Sequence, residues 1–559
     1  MNDLPNASSR GLPALVLISA WVGGMTSAVA DPATYRYTAQ QGDTLIALGQ
    51  SLLERPAEWP RLQQINRITN PRRIPVGQVI QIPVTMLRAK EAPARVVQLS
   101  GSASLIQAGQ SRPLSIGAPW EPGSEIRTGS DGYVTVRLAD GSLLKVQSAT
   151  VARLDRAQHY ERPGFFATAL QVLQGRIEAA VTHLTGGEPR FQVSTPQATL
   201  GVRGTDFRVA AQPETGTSWG EVLTGRVDVT GHTASPRNKA ANVVSLQAGQ
   251  GALVNAQSRV GSPITLPQAP DLRALPDLHD RPVVTLNLPP VADASLYRAQ
   301  AALDAEFTQV MAEATSPTPT LRLTGLPDGP YHLRVRVAQA QGLEGPDGKR
   351  TFVLKARPEP PNLVNPGPDA KHRGLGIPLH WTEPPEASRY RLQISQNGQW
   401  QRPVVDLPAI TSSTWHQSLP PGTYQWRLAS VRANGDAGPF GDARSFTLLP
   451  PPADLPPPQV TEQHLQFSWP AEPGQTFELQ MARDDAFTLA VTTVKSTQPQ
   501  VQVDRPQPGG RWWVRTRATD ADGYVGPYST PQVLHLPSCA IDRQGDCLRS
   551  GDGQMLRSR

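Results

Sequence analysis

Between Tyr35 and Val84 the spacing of apolar positions changes twice. Tyr35-Arg36-Tyr37-Thr38 alternates as a strand does, and Gly42-Asp43-Thr44 then forms a turn whose Asp or Thr can cap a helix. Leu45, Leu48 and Leu52 recur at helical spacing. A second short helix fits Trp59 to Asn66, with Pro60 tolerated in its first turn and Leu62 and Ile65 facing inward. Pro71 and Pro75 punctuate the exit, and Val79, Ile80 and Ile82 make a closing strand that ends at Pro83. The segment therefore predicts strand, helix, helix, strand.

From about Val97 to Val254 the pattern becomes short alternating runs divided by glycine turns, such as Tyr133 to Leu138 before Asp140-Gly141, and Val222-Leu223 before Thr224-Gly225. These are hairpin signals, and their density predicts a barrel, sandwich or stacked β-roll. The remainder repeats. Gly329-Pro330-Tyr331-His332-Leu333-Arg334-Val335-Arg336-Val337 precedes Gly345-Pro346; Gly422-Thr423-Tyr424-Gln425-Trp426-Arg427-Leu428 precedes Gly438-Pro439; and Gly509-Gly510-Arg511-Trp512-Trp513-Val514-Arg515 precedes Gly526-Pro527. Each is preceded by a strand such as Tyr390 to Ile394 or Phe477 to Met481, and Trp381 and Trp469 open the second and third units. Inward Tyr, Leu and Val alternate with outward Arg, as a two-sheet core demands. The arginine faces read either as a polyanion site or as ordinary solvated charge. Linkers such as Arg357-Pro358-Glu359-Pro360-Pro361 and Pro450-Pro451-Pro452 are short and stiff, which predicts an extended array.

Composition agrees. A chain of 559 residues is too long for one core, and its 56 prolines and 47 glycines favour strands and turns over long helices. The net charge of +6 fits an anionic envelope or a solvated surface equally, and no basic run interleaved with aromatics suggests nucleic acid. Residues 1–30 read as a secretory signal: Arg10, an apolar Leu12 to Met25 stretch, and Ala28-Val29-Ala30 before Asp31. No later segment is apolar enough to span a bilayer, so no transmembrane anchor is expected after cleavage. Cys539 and Cys547, in the C-terminal tail, can close a small disulfide loop in an oxidising periplasm or remain two free thiols.

The first segment resembles the LysM domain through Tyr37-Thr38, Gln41-Gly42-Asp43-Thr44-Leu45, Trp59, Leu62, Asn66 and the ending Pro75-x-Gly77-Gln78-x-Ile80-x-Ile82-Pro83. LysM domains bind N-acetylglucosamine polymers, in bacteria mostly peptidoglycan. The resemblance implies a sugar groove with Gly42, Asp43, Thr44 and Leu45 on one wall, and Ile68, Thr69, Asn70, Pro71 and Ile74 on the other. Leu45 reads equally as core. Arg72 and Arg73 are either partners for peptide-stem carboxylates or solvated.

Phe191 to Pro196, continued by Ala198-Thr199-Leu200-Gly201-Val202-Arg203-Gly204-Thr205-Asp206-Phe207, resembles FecR-type domains. Ile126 to Gly129, Leu138 to Ser142 and Leu246 to Gln250 support it. That family supplies the periplasmic part of membrane-spanning sigma-factor regulators. The transmembrane helix of such a regulator has no counterpart here, so a periplasmic scaffold or binding module is expected. Arg203 and Asp206 read as a structural ion pair or a ligand contact, and no ligand is assigned to them. The three repeats resemble fibronectin type III sandwiches.

Enzyme chemistry has no foothold. No cysteine precedes position 539, the ten histidines are scattered, and H-E-x-x-H does not occur. No catalytic residue, metal site or cofactor is expected. The expected fold class is multidomain and mainly β: a signal peptide (1–30), a small βααβ LysM module (35–86), a FecR-like β domain (96–256), three tandem β-sandwiches (280–356, 360–449, 455–537) and a polar tail (538–559). The expected function is a non-catalytic periplasmic or cell-envelope protein that binds peptidoglycan glycan strands and holds an unidentified envelope protein partner. The alternative is a periplasmic sensor acting through a separate membrane partner.

Overall fold

The computed structural model describes residues 34–181, 191–202, 204–232, 243–461, 463–539, 547–554 and 556. The expected signal peptide (1–30) and Arg203 lie outside them. No helix of the described residues is long and apolar enough to cross a membrane. The chain divides into two compact units: one runs to Asp271 and adds Leu288–Leu321 and Arg334–Lys349, and the other comprises Leu272–Asn287, Arg322–Leu333 and Arg350–Arg559. The division runs through the first predicted sandwich.

In the first unit, the strands Thr34–Thr38 and Val79–Pro83 pair antiparallel around the helices Leu45–Leu52 and Trp59–Asn66. Thr44 caps the first helix, its Oγ1 accepting the Ala47 N–H at 3.0 Å. Asn66 fastens the second helix to the closing strand: its Oδ1 accepts the Gln81 N–H, and its Nδ2 donates to the Gln81 carbonyl at 2.8 Å. Leu45, Leu48, Leu52, Leu62, Ile80 and Ile82 form the core. Ile65, expected inside, is 41% exposed, because the core face of this two-turn helix is already filled by Leu62. Tyr160, Phe165 and Ala167, from a later hairpin, complete the same core.

That hairpin belongs to the next domain, whose strands from Lys90–Glu91 to Ile264–Thr265 pair in one closed, barrel-like succession around a core rich in Val, Leu and Ala. Its central strand, Phe165–Ala180, serves two sheets. The first half pairs with Val151–Tyr160 and Phe191–Ser194, and the second half pairs with Leu143–Val146 and Asp206–Gln212. Gly175 sits at the changeover with φ +81, where a Cβ would meet the Thr150 Oγ1 at 2.4 Å, so only glycine fits without a shift. Leu296–Ala302 and Val310–Ser316 form an antiparallel pair within this same unit.

The second unit holds two sandwiches. In the first of these, Leu363–Asn365, Gly376–Trp381 and Thr414–Ser418 form one sheet. The other is ordered Ala370–Arg373, Arg444–Leu449, Gly422–Val431, Arg389–Gln396, Val405–Ile410. Trp381, Trp426 and Phe446 fill the space between them. In the next, Gln459–Val460, His464–Ser468 and Gln500–Asp504 face the sheet Thr492–Ser496, Thr476–Ala482, Gly510–Thr519, Gln532–Leu536 over Trp469, Phe467 and Trp512. The repeated Gly-x-Tyr has a structural use: the Tyr331 and Tyr424 hydroxyls donate to the Pro327 and Pro420 carbonyls at 2.8 and 2.9 Å. This is the tyrosine corner of fibronectin-like sandwiches; the third repeat places Trp512 there instead. Cys539 and Cys547 are joined in a disulfide.

Candidate functional site

The two N-terminal segments expected to face a sugar are tied together, the Leu45 N–H donating to the Pro71 carbonyl at 2.8 Å. The turn before the helix is fixed from the strand side. Asp43 accepts the Tyr37 hydroxyl at 2.8 Å and the Gln40 N–H at 2.7 Å, while Gly42 takes φ +90. Burial and the Asp43 carboxylate push the Tyr37 hydroxyl up to about 12. Across from it, the Asn70 Oδ1 accepts the Arg72 N–H at 3.0 Å and the Asn70 carbonyl accepts the Arg73 N–H at 3.2 Å. Leu45, Ile68 and Ile74 point into the core. Gly42, Thr69 and Asn70 are exposed, and Asp43, Thr44 and Pro71 are half-buried. The surface offered is therefore backbone, amide and hydroxyl with a proline ring, over a rigid apolar floor. Such a surface suits a neutral N-acetyl sugar. Arg72 and Arg73 are exposed beside it.

A second concentration of polar chemistry lies in the same unit, where the barrel-like domain meets Leu288–Leu321 and Arg334–Lys349. Arg176, Arg208, Arg298, Arg334 and Arg336 interleave there with Glu178, Glu221, Glu313, Glu344 and Asp347. Arg334 takes Glu178 with both terminal nitrogens, at 3.0 and 3.2 Å. Arg176 meets Glu344 at 2.7 Å, and Arg208 meets Glu221 and Asp347, each at 3.2 Å. The Arg208 guanidinium also donates to the Gly345 carbonyl at 2.9 Å. Burial alone would raise the Glu178 carboxyl, but Arg334, Arg336 and Arg208 outweigh it and hold it well below the usual carboxylate range. Glu344 and Asp347 are lowered in the same way by their arginines. A cavity of about 310 Å³ adjoins the network, lined by Gln147, Arg176, Trp219, Arg298 and Arg336. The guanidinium groups in its wall already carry carboxylates.

At Arg334 and Arg336 this network departs from the reading of outward, solvated arginines. Arg334 and Arg336 are 3% and 2% exposed. They do leave the sandwich core, as strand alternation requires, but the face they reach is covered by a neighbouring domain. Asp206 is exposed and its N–H donates to the Thr224 Oγ1 at 3.0 Å, a turn-stabilising role; its sequence neighbour Arg203 is outside the described residues.

A family model for the LysM domain matches residues 37–83, and one described as FecR protein matches residues 124–228. The chain carries a LysM domain and a FecR domain. Two crystal structures of a "putative anti-sigma factor" from Parabacteroides distasonis ATCC 8503, at 2.50 and 1.65 Å, share 24% identity over 25% of this chain, with a TM-score of 0.20. The match spans 59% of the length of those structures. The chicken CNTN1 FN1-FN3 structure shares 16% identity, covers 48% of this chain and 98% of its own, and has a TM-score of 0.20. At that TM-score neither likeness bears on function. No curated protein sequence is significantly similar to the chain. The fibronectin-like reading of the C-terminal region stands on its paired sheets and tyrosine corners.

Proposed function

We propose that this is a non-catalytic protein of the bacterial periplasm or cell envelope, which binds peptidoglycan glycan strands through its LysM domain and holds a protein partner through its FecR-like and sandwich domains. The observation that carries the reading is the LysM match together with the surface at its two loops. Gly42, Thr69 and Asn70 stand exposed on loops locked to each other by the Leu45–Pro71 bond. Leu45, Ile68 and Ile74 act beneath that surface as its floor, setting loop spacing rather than touching the sugar.

The test is co-sedimentation of the full protein with purified sacculi, against a Thr69→Glu, Asn70→Asp double variant. The aspartate keeps the acceptor for the Arg72 N–H, and neither position is buried, so the fold is expected to survive. Two added carboxylates beside a neutral sugar should cut retention about tenfold, the scale of one lost polar contact in a site. Full retention by the variant would place the glycan elsewhere or remove it from the function. Deleting the whole module is a poorer test, because Tyr160, Phe165 and Ala167 would lose their cover.

The FecR match favours a second reading, a sensor whose FecR-like domain passes a signal to a separate membrane partner. Co-purification of one stoichiometric membrane protein, released by a soluble ligand, would support it over static scaffolding.

A further inference from the structure

Three sandwich sheets carry one polar constellation at constant offsets. Its members are Gln300, Phe307 and Arg334; Gln393, Trp400 and Arg427; and Gln480, Phe487 and Arg515. In each, the arginine Nε donates to the glutamine Oε1, at 2.7, 3.1 and 3.0 Å, across 34, 34 and 35 residues of sequence. In each, the guanidinium lies over the ring, 4.6, 4.0 and 3.9 Å from its centre. The middle sheet copies the first further still. Arg298 and Gln300 share the Glu313 carboxylate, and Arg391 and Gln393 share Asp406.

The copies differ at the outer edge of the conserved arginine. Arg334 gives both terminal nitrogens to Glu178, which reaches it from the FecR-like domain, and Arg334 is buried. Arg427 and Arg515 turn Nε and Nη2 to their glutamines, and among the described residues no carboxylate lies within ion-pair distance of either. The position of Asp347, two residues after the Gly-Pro glycine, is taken by Phe440 and Tyr528. These close the second face of each guanidinium at 4.2 and 4.0 Å. Each cation is thus held between two rings and a glutamine, half-buried, and among the described residues its Nη1 has no hydrogen-bond or ion-pair partner. Fixing a guanidinium in this way removes much of the rotamer entropy that binding would otherwise cost.

We propose that Arg427 and Arg515 are docking points for a protein partner that presents carboxylates from a β surface, each taken as Arg334 takes Glu178. The occupant follows from the copy that is filled: the same constellation, in the first sheet, is covered by a β domain offering a glutamate. Aromatic rings in place of Asp347 remove an internal competitor for that glutamate.

The test uses the full protein and a fluorescent β-hairpin peptide with glutamates on one face, its glutamine counterpart serving as control. Anisotropy should show the glutamate hairpin binding, and Arg427→Gln with Arg515→Gln should weaken it about tenfold or more, as expected for a lost charge-assisted pair. Should that variant melt early, Arg427→Lys with Arg515→Lys replaces it, since lysine keeps the stem packing and the charge but not the two-pronged edge. An unchanged affinity in the folded variants, or equal binding of the glutamine hairpin, overturns the proposal. Arginine-dependent retention on sacculi with intact peptide stems, without hairpin binding, overturns the protein source in favour of stem carboxylates. The LysM reading is tested separately by peptide-free glycan strands, to which both arginine variants should bind as the parent does.

Discussion

Glu178→Gln is the sharpest probe of the buried network. The side chain is 12% exposed and faces Arg334 and Arg336, which are 3% and 2% exposed. Glutamine fits the same space but leaves one positive charge uncompensated. Removing one member of a buried pair costs about 3–5 kcal/mol. Arg336 retains Asp347 and Glu344, and Arg334 retains Gln300, so the lower end, about 3 kcal/mol, is expected here. For a unit of this size that is a fall of roughly 6–12 °C in Tm, at about 2–4 °C per kcal/mol. Scanning calorimetry of the full protein should show the fall in one transition and leave the transition of the C-terminal sandwiches in place. Pairing Glu178→Leu with Arg334→Met removes both charges at once and should recover most of the loss. A fall below about 2 °C for Glu178→Gln, or a double variant as unstable as the sum of its singles, would refute the claim that the two groups neutralise each other.

Three further outcomes follow from the same geometry. Glu178, Glu344 and Asp347 are depressed in the folded state, so their contribution is fully present above their unfolded values near 4 and is lost as pH falls through the folded ones. The Tm of the FecR-containing unit should therefore be flat around neutrality and drop below about pH 4.5, with a shallower drop in Glu178→Gln. Gly175→Ala brings a Cβ within 2.6 Å of the Thr150 Cα at a φ of +81, and should cost about 2–4 kcal/mol in urea unfolding. A neutral result would mean that the strand changes sheets without needing that backbone conformation. Tyr424→Phe removes the hydroxyl bond to Pro420 and leaves the ring stacked on Phe446, so a loss of about 1 kcal/mol is expected, read as a shift in the urea midpoint at constant slope.

Much of this architecture was legible in the sequence because the signals were local. The first domain shows its two helices through Leu45, Leu48, Leu52 and Leu62, and its turn through Gly42-Asp43-Thr44. Both signals arise within a few residues of what they determine. The same locality limits the groove: Ile68 and Ile74 sit beside polar neighbours in sequence, and only the folded core shows their side chains buried, whereas Leu45 already read equally as core. The arginine strands mark where local reading ends. Alternation does place Arg334 and Arg336 on the outer face of their sheet, but whether that face meets water or another domain depends on Glu178, which is 156 residues from Arg334.

One long-range signal was nevertheless present in the chain. Glutamine and arginine recur 34, 34 and 35 residues apart, with an aromatic residue between them. A solvated face has no reason to preserve such an offset through three repeats, since exposed positions contribute little to stability. Packing within each sheet explains the glutamine and the rings, because they hold the guanidinium stem. It does not explain why the guanidinium itself is kept, when a neutral side chain would pack between the rings without the cost of partial desolvation. In the first sheet Glu178 accounts for it. In the other two, no carboxylate among the described residues lies within ion-pair distance, which points to an outside group, so variants at Arg427 and Arg515 should alter binding more than they alter folding.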